Sequence, residues 1–302
     1  MESLLASAQN ASAEEFELIC IDDGSADDTW KILQSYEAKD SRIHVFHKEN
    51  GGVGSARNLG LSKVTGHYIA WVDADDYVAT DWYESIRSKM AEKPDCIFFD
   101  YFLTIGEKND PCHIRLPEVV SLDAFTYEQS LERELKNFLW NQVIRADLFW
   151  SVHFHEEYHM LEDYDVLTKV TPSFQNIVHI SKCLYHYVQN ESSLTHNVSA
   201  DVIWQNIQIV KERYDKYCSL GISVSSNDYV MQLLSYLYEA DRGQDKAWQM
   251  RSRACRTALR RYVRTVLGDK DAARLVKVKA IFAALGLERV LYLLFCIRRA
   301  LR

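Results

Sequence analysis

Two apolar runs in this chain end in clustered carboxylates: FELICIDDGSADDT (Phe16 to Thr29) and HYIAWVDADDYV (His67 to Val78). Each reads as a strand followed by a turn, which sets the acids at one edge of a sheet, where open α/β folds hold their ligands. Carboxylates crowded in this way repel unless a cation or hydrogen-bond donors neutralise them. A divalent metal together with a polar ligand such as a nucleotide diphosphate meets that demand.

The pattern around these runs alternates. Strands are predicted at Leu18–Asp22, Arg42–His47, Tyr68–Val72 and Cys96–Leu103, and helices at Ser25–Ala38, from the glycine-rich turn Gly51–Gly60 through about Val64, and at Asp81–Met90. Asp27 and Asp28 suit the first turn of their helix by capping and dipole. Alternating strand and helix predicts an α/β fold with a Rossmann-like, mostly parallel, doubly wound sheet. Further on, Phe125–Phe138 and Glu162–Val170 read as helices, Trp140–Trp150 as a segment crossing back to the sheet, and Gln175–Ile180 and Cys183–Val188 as strands. Beyond Ala200 the period is helical: Ile203, Ile207, Val210 and Tyr214 share one face, as do Val230, Leu233, Leu234 and Leu237. Two domains are expected, residues 1–200 and a helical, basic C-terminal region at 201–302.

Composition narrows the setting. With 302 residues, 47% of them hydrophobic, the chain is ample for a core. Its seven cysteines are odd in number and form no CxxC pair, which fits reduced cytoplasmic thiols better than a disulfide frame or a zinc site. The start MESLLASAQNASAEEF has neither the basic head nor the apolar stretch of a signal peptide. The net charge of −8 hides an asymmetry: residues 251–302 hold 14 Lys and Arg against Asp269, Asp271 and Glu288, so this stretch carries +11 and the first 250 residues −19. An acidic body of that size makes nucleic acid an unsuitable partner.

Four motifs carry the chemistry, each with a plainer alternative. In DDGSADDT, Asp22 and Asp23 close a strand and either accept from a base N–H or ribose hydroxyl, or form a turn and helix cap. In DADDY, Asp73 and Asp75 stand two apart and share a side; they suit Mg²⁺ or Mn²⁺, or form a solvated acidic turn. An EF-hand loop is excluded, because its sixth position requires glycine and holds Val78. In GGVGSARNLG, Gly51, Gly52 and Gly54 allow close backbone approach ahead of a helix N-terminus that can bind anions. The segment lacks the Gly-Lys-Ser/Thr ending of a P-loop, and Arg57 stands where the third glycine of a dinucleotide fingerprint belongs. Arg57 and Asn58 contact either substrate or the Asp pairs. In LEDYDVL, Glu162-Asp163 is either a helix-start cap or a catalytic carboxylate that takes a proton from an attacking hydroxyl. His186, in a Tyr-His-Tyr strand, is a packing residue or a third metal ligand.

These motifs occur together and in order. With LWNQVIRADLF (Leu139–Phe149) between the second acidic group and MLEDYDVL, the stretch of about 15–190 resembles the inverting, GT-A-fold glycosyltransferases of family two, the bacterial polysaccharide type. The resemblance implies a nucleotide-sugar donor, a UDP-sugar foremost, with Mg²⁺ or Mn²⁺, and a single displacement that inverts the anomeric carbon. It implies that Asp22 and Asp23 hold the nucleoside, with Gly52 and Arg57 beside them as donor-contact candidates. Asp73 then contacts ribose or sugar, and Asp75, with His186 as a further candidate, ligates the metal. Asp163 is the general base on the acceptor hydroxyl, supported by Glu162. Members of the family normally open with one more strand; Met1–Gln9 looks like the tail of the helix that follows it. Without that strand, two sheet edges are expected to be exposed and donor binding weakened.

The tail segment Ile281–Ile297 is apolar for 17 residues apart from Glu288-Arg289 and ends in Arg298-Arg299-Ala300-Leu301-Arg302. It is short for a spanning helix and suits an amphipathic helix on an anionic membrane, or a helix packed on the acidic body. The expected activity is sugar transfer to a glycan acceptor, lipid-linked, by an enzyme in the cytoplasm and peripheral to the inner face of the plasma membrane. The alternatives are a metal-dependent nucleotidyltransferase, and an inactive remnant or partner subunit of a glycosyltransferase complex.

Overall fold

The first apolar run forms a strand over its predicted span, Leu18–Asp22 (β1), and pairs in parallel with Ile43–His47 (β2), Cys20 opposite Val45. The computed structural model describes residues 1–113, 121–122, 138–189, 199–220, 227–238, 246–268, 274–287 and 290. They fall into two compact units, Met1–Ser193 and Leu194–Arg302.

In the first unit, helices Glu2–Ser7 (α1), Thr29–Glu37 (α2), Gly52–Leu61 (α3), Trp82–Arg87 (α4) and Glu162–Val170 (α5) accompany two sheets. β1 and β2 make the smaller sheet. The larger contains Tyr68–Ala70 (β3), Tyr77–Val78 (β4), Cys96–Ile105 (β5), Lys108–Cys112 (β6), Ser121–Leu122 (β7), Gln142–Arg145 (β8) and Ile177–Val188 (β9). Its order is β3-β8-β5-β9-β4, with β6 paired to β5 and β7 to β9. Among the described residues β1 pairs only with β2, and β3 only with β8, so both are edge strands.

The larger sheet is mixed, which corrects the expectation of mostly parallel strands. Among the described residues only β5 and β9 run parallel in it, while β3/β8, β4/β9, β5/β6, β5/β8 and β7/β9 are antiparallel. Parallel pairs require a long crossover, whereas a short connection returns the chain antiparallel. β5 and β6 are joined by Gly106 and Glu107 alone, with Gly106 at φ +59°. The two strands expected at 175–188 are one: β9 passes over Ser181 and Lys182, so that Ile180 faces Phe99 and Cys183 faces Asp100. The helix expected at Phe125–Phe138 lies outside the described residues except for Phe138 itself.

β5 is the spine of this unit. Its residues Cys96 to Tyr101 are buried on both faces, hence a continuous apolar run rather than an alternating one. Side chains still alternate in direction. Cys96 and Phe98 enter one core with Ile144, Leu167 and Phe174, while Ile97, Phe99 and Tyr101 enter the other with Trp82, Val143 and Tyr185. Asp100 interrupts the run fully buried, bonded to His113 Nδ1 and His179 Nε2, each at 2.8 Å.

The second unit is helical: Ala200–Ser219 (α6), Asn227–Tyr238 (α7), Lys246–Gly268 (α8) and Arg274–Ala284 (α9). Ser199 starts α6 by accepting from the Val202 N–H at 3.3 Å. Ile203, Ile207 and Val210 on α6, and Val230, Leu233, Leu234 and Leu237 on α7, are buried on the faces their spacing predicts. No helix among the described residues is long and apolar enough to cross a membrane.

Phe98 is wholly buried and stacks on His179 at 4.6 Å. Phe98→Ala should therefore cost about 3–5 kcal/mol of stability, measured by urea unfolding.

Candidate active site

The glycine-rich segment opens α3, and its geometry follows from one left-handed residue and one close approach. Gly52 sits at φ +84°, a conformation that favours glycine. A Cβ on Gly54 would stand 2.9 Å from the His155 carbonyl oxygen, so only glycine lets α3 lie against that segment. Asn58 fixes the same contact: its Nδ2 donates to the Phe154 carbonyl, and its Oδ1 accepts from the Phe154 N–H, both at 2.9 Å.

One turn from Gly54, Arg57 projects into a group of acids. Its Nη1 bonds Glu162 Oε1 at 2.8 Å and also Asp163 Oδ1, and its Nη2 lies 3.4 Å from Asp73 Oδ1. The guanidinium also sits over the rings of Trp71 and Phe154, 5.8 and 5.5 Å from their centroids. Of the two contacts expected for Arg57 and Asn58, the structure shows Arg57 on the acids and Asn58 on the backbone of Phe154.

Asp163 is buried at the start of α5, its Oδ2 accepting from the Leu139 N–H at 3.1 Å. Burial pushes its carboxyl up to about 7; Arg57 and the Leu139 N–H oppose the rise, and Glu162 and Asp73 reinforce it. Asp73 is also raised by burial against the pull of Arg57, with Asp75 and Glu162 repelling its charge. Two carboxyls poised upward in one cluster are the arrangement from which proton transfer near neutral pH is built.

The first acidic motif is organised differently. Asp22 is buried, accepting from the Ser25 N–H at 3.1 Å and paired with His47 Nδ1 at 2.7 Å; the Ser25 side chain leads in holding its carboxyl below the usual range against burial, with His47 and the Ser25 N–H adding to it. Asp23 accepts from Lys48 Nζ at 2.7 Å and from the N–H groups of Gly51 and Gly52 at 3.0 and 2.8 Å. Burial alone would raise Asp23, but these donors outweigh it and lower its carboxyl. Asp23 thus ties the end of β1 to the glycine segment.

Asp75 is exposed, and no hydrogen bond or ion pair engages it among the described residues. His186 lies in a stack, its ring 4.2 Å from Tyr77 and 4.7 Å from Phe102. Burial lowers its pKa. The Thr104 hydroxyl donates to Asn109 Oδ1 at 2.7 Å and therefore accepts from His186 Nδ1 at 3.3 Å, which leaves the lone pair on Nε2. No three His, Cys, Asp or Glu side chains converge on a metal position among the described residues. A cation here would need oxygens from a bound ligand, and a carboxylate donor set of this kind suits Mg²⁺ or Mn²⁺.

Two supports escaped the sequence reading. The Tyr185 hydroxyl donates to Asp76 Oδ2 at 2.7 Å and accepts from the Asp73 N–H at 3.1 Å, while the Val188 N–H donates to Asp76 Oδ1 at 2.7 Å. Burial lifts the Asp76 carboxyl to about 6. Asp76 is thus the anchor of the DADD turn, holding Asp73 and Asp75 at its open side. The inward alternation of Tyr185 in β9 was its available signal.

The family model for glycosyl transferase family 2 matches residues 1–155, half of the chain. The chain belongs to this family. Uncharacterized glycosyltransferase EpsJ of Bacillus subtilis (strain 168) is a relative at 25% identity over 202 residues, covering 65% of this chain and 59% of EpsJ. A candidate teichuronic acid biosynthesis glycosyltransferase of the same organism, TuaG, is 33% identical over 138 residues, covering 45% of this chain and 53% of TuaG. The chain thus spans less than two thirds of either relative. Among solved structures, Staphylococcus aureus TarS 1–349 in complex with UDP-GlcNAc superposes with a TM-score of 0.62 at 19% identity, covering 96% of this chain and 84% of that one. The fold of this family 2 member is therefore GT-A, with a helical C-terminal region.

Two outcomes follow from the geometry. Tyr185→Phe strands Asp76 Oδ2 and the Asp73 N–H, and should cost about 1–3 kcal/mol in chemical denaturation. The raised Asp163 carboxyl contributes stability that is full below its unfolded pKa of about 4 and lost as pH rises through about 7. Thermal melts across that window should show wild type losing Tm relative to Asp163→Asn as pH rises.

Proposed function

We propose that this family 2 protein transfers a sugar from a nucleotide-diphosphate sugar, a UDP-sugar, to a hydroxyl of a glycan acceptor, lipid-linked, at the cytoplasmic side of the membrane in cell-surface polysaccharide synthesis. The observation that carries this reading is Asp163: a buried carboxyl lifted to about 7, at the start of α5, in one cluster with Asp73 of the DADD turn. The UDP-GlcNAc bound by TarS makes UDP-sugars the first donors to test. Family membership favours sugar transfer over nucleotidyl transfer.

In the proposed reaction the acceptor oxygen attacks the anomeric carbon as the bond to the diphosphate breaks, in a single displacement with inversion. Asp163 takes the hydroxyl proton. Each carboxylate oxygen offers two acceptor positions, and Arg57 and the Leu139 N–H use one on each, so acceptor capacity remains. Glu162 keeps Arg57 shared between two carboxylates and so limits its depression of the Asp163 pKa. Asp73 is assigned to the ribose or sugar, and Asp22, Asp23, Gly52 and Arg57 to the donor pocket. Asp75, with His186 as a further ligand, would hold Mg²⁺ or Mn²⁺, which when bound offsets the charge of the leaving diphosphate. The first unit carries this chemistry in the division of residues 1–200 from 201–302.

The test is nucleoside diphosphate release from a panel of UDP-sugars with Mn²⁺ and a glycan acceptor. Asp163→Asn should lower kcat by about 10²–10⁴-fold, and Asp75→Ala should abolish metal-dependent release. The wild-type rate should rise with pH to a plateau through about 7. Release unaffected by Asp163→Asn would overturn the assignment of the base, and no release from any donor would favour an inactive partner subunit.

A further inference from the structure

Helix α9 has two faces of different kinds. Ala280, Ala283 and Ala284 are buried, and the helix is held at the Lys279 carbonyl by the Tyr238 hydroxyl (3.2 Å) and at the Ala284 carbonyl by Arg260 Nε (2.9 Å). Its end is a Schellman motif: Gly286 at φ +74°, the Gly286 N–H on the Ala283 carbonyl at 3.0 Å, and the Leu287 N–H on the Phe282 carbonyl at 2.7 Å. Helical phase therefore runs through Leu285. Leu275, Val278, Ile281 and Leu285 are 49%, 40%, 36% and 65% exposed. At 3.6 residues per turn they fall within an arc of about 120°, opposite the alanines.

The rims of that arc are basic. The same helical phase sets Lys277 on one edge and Lys279 on the other, both half-buried, the Lys279 ammonium 5.5 Å from the centre of the Tyr238 ring, with Arg274 exposed at the N-terminal end. Neither α9 nor the neighbouring α8 contains an acid, and α8 adds further cations, among them Arg253, Arg261 and Arg264, while its Arg251 pairs with Asp201 and its Arg260 is used on the Ala284 carbonyl. An apolar stripe between basic edges matches a bilayer surface, with apolar side chains at the acyl boundary and cations at the headgroups. A second copy is a poor occupant: a two-fold contact sets a patch against itself, basic rim on basic rim. Eleven helical residues reach about 17 Å, short of the roughly 30 Å hydrocarbon layer, so the helix lies along the surface.

We infer that the exposed face of α9, formed by Leu275, Val278, Ile281 and Leu285 between Lys277 and Lys279, docks the protein in the plane of an anionic lipid surface. None of these residues belongs to the acid cluster, and occupancy of the face is measured without turnover.

The experiment is flotation of the full chain with vesicles of phosphatidylcholine alone or with about 30% phosphatidylglycerol, at low salt and at about 0.5 M NaCl. The chain should float with the anionic vesicles at low salt, and much less with the neutral ones or at high salt. Leu275→Ser/Val278→Ser/Ile281→Ser should lower partition on the order of 100-fold, with Tm and hydrodynamic size unchanged. Arg274→Glu/Lys277→Glu, which leaves the apolar side chains in place, should lower it by at least about 30-fold and serves where the triple variant does not fold. Absence of binding to anionic vesicles, or wild-type partition by both variants, would overturn the inference. A wild-type dimer that the triple variant converts to monomer would also overturn it, by assigning the face to a second copy.

Discussion

The site depends on one buried guanidinium. Arg57 comes from α3, Asp73 from the end of the second acidic strand, and Glu162 and Asp163 from the start of α5. Without the cation, the enclosed Glu162 and Asp163 would stand beside the partly exposed Asp73, a juxtaposition that burial and mutual repulsion both oppose. With it, the glycine helix, the DADD turn and α5 are tied at one point. The tie works only because Gly54 lets α3 approach the chain at His155 and because Asn58 holds Phe154 by two bonds. The glycine-rich segment thus supplies close packing and a placed counter-charge, two requirements that a phosphate cradle shares but that need no phosphate to be present.

What lies local to the chain could be read from it. β1 and α5 form over the predicted residues, because an apolar run of five and a dense acidic helix start each carry their signal within a few positions. α2 begins at Thr29 rather than Ser25, since Asp27 uses its Oδ1 on the Thr29 N–H and delays the first turn. What depends on distant partners could not be read. Tyr185 reaches Asp76 across 109 residues, and Arg57 reaches Asp163 across 106. Strand direction was misjudged for the same reason: alternation of elements is visible in sequence, but whether a strand returns by a hairpin or a crossover is decided by pairings such as β3 with β8, at residues 68–70 and 143–145.

The second unit shows the same division. The asymmetry of charge was plain in composition, and so were the apolar faces of α6 and α7. The face that α9 offers outward was not, because Leu275, Val278 and Ile281 have the spacing of core residues. Only the small alanines opposite them, which let α9 sit close to its neighbours, show which side is turned in. An apolar stripe is core or surface according to which side the packing occupies.

Charge balance gives the acid cluster its remaining logic. Arg57 carries one positive charge against Asp73, Glu162 and Asp163, and Asp75 adds another carboxylate that no hydrogen bond or ion pair engages among the described residues. The protein can relieve this excess by keeping protons, which is the direction in which Asp73, Asp76 and Asp163 shift. A cation at the exposed Asp75 would relieve it from outside, lower the Asp73 carboxyl, and leave the more distant Asp163 as the group that retains its affinity for a proton. The division of labour proposed for Asp75 and Asp163 thus rests on one physical difference between them: Asp75 is open to solvent and without a hydrogen bond or ion pair among the described residues, while Asp163 is enclosed and held at both oxygens.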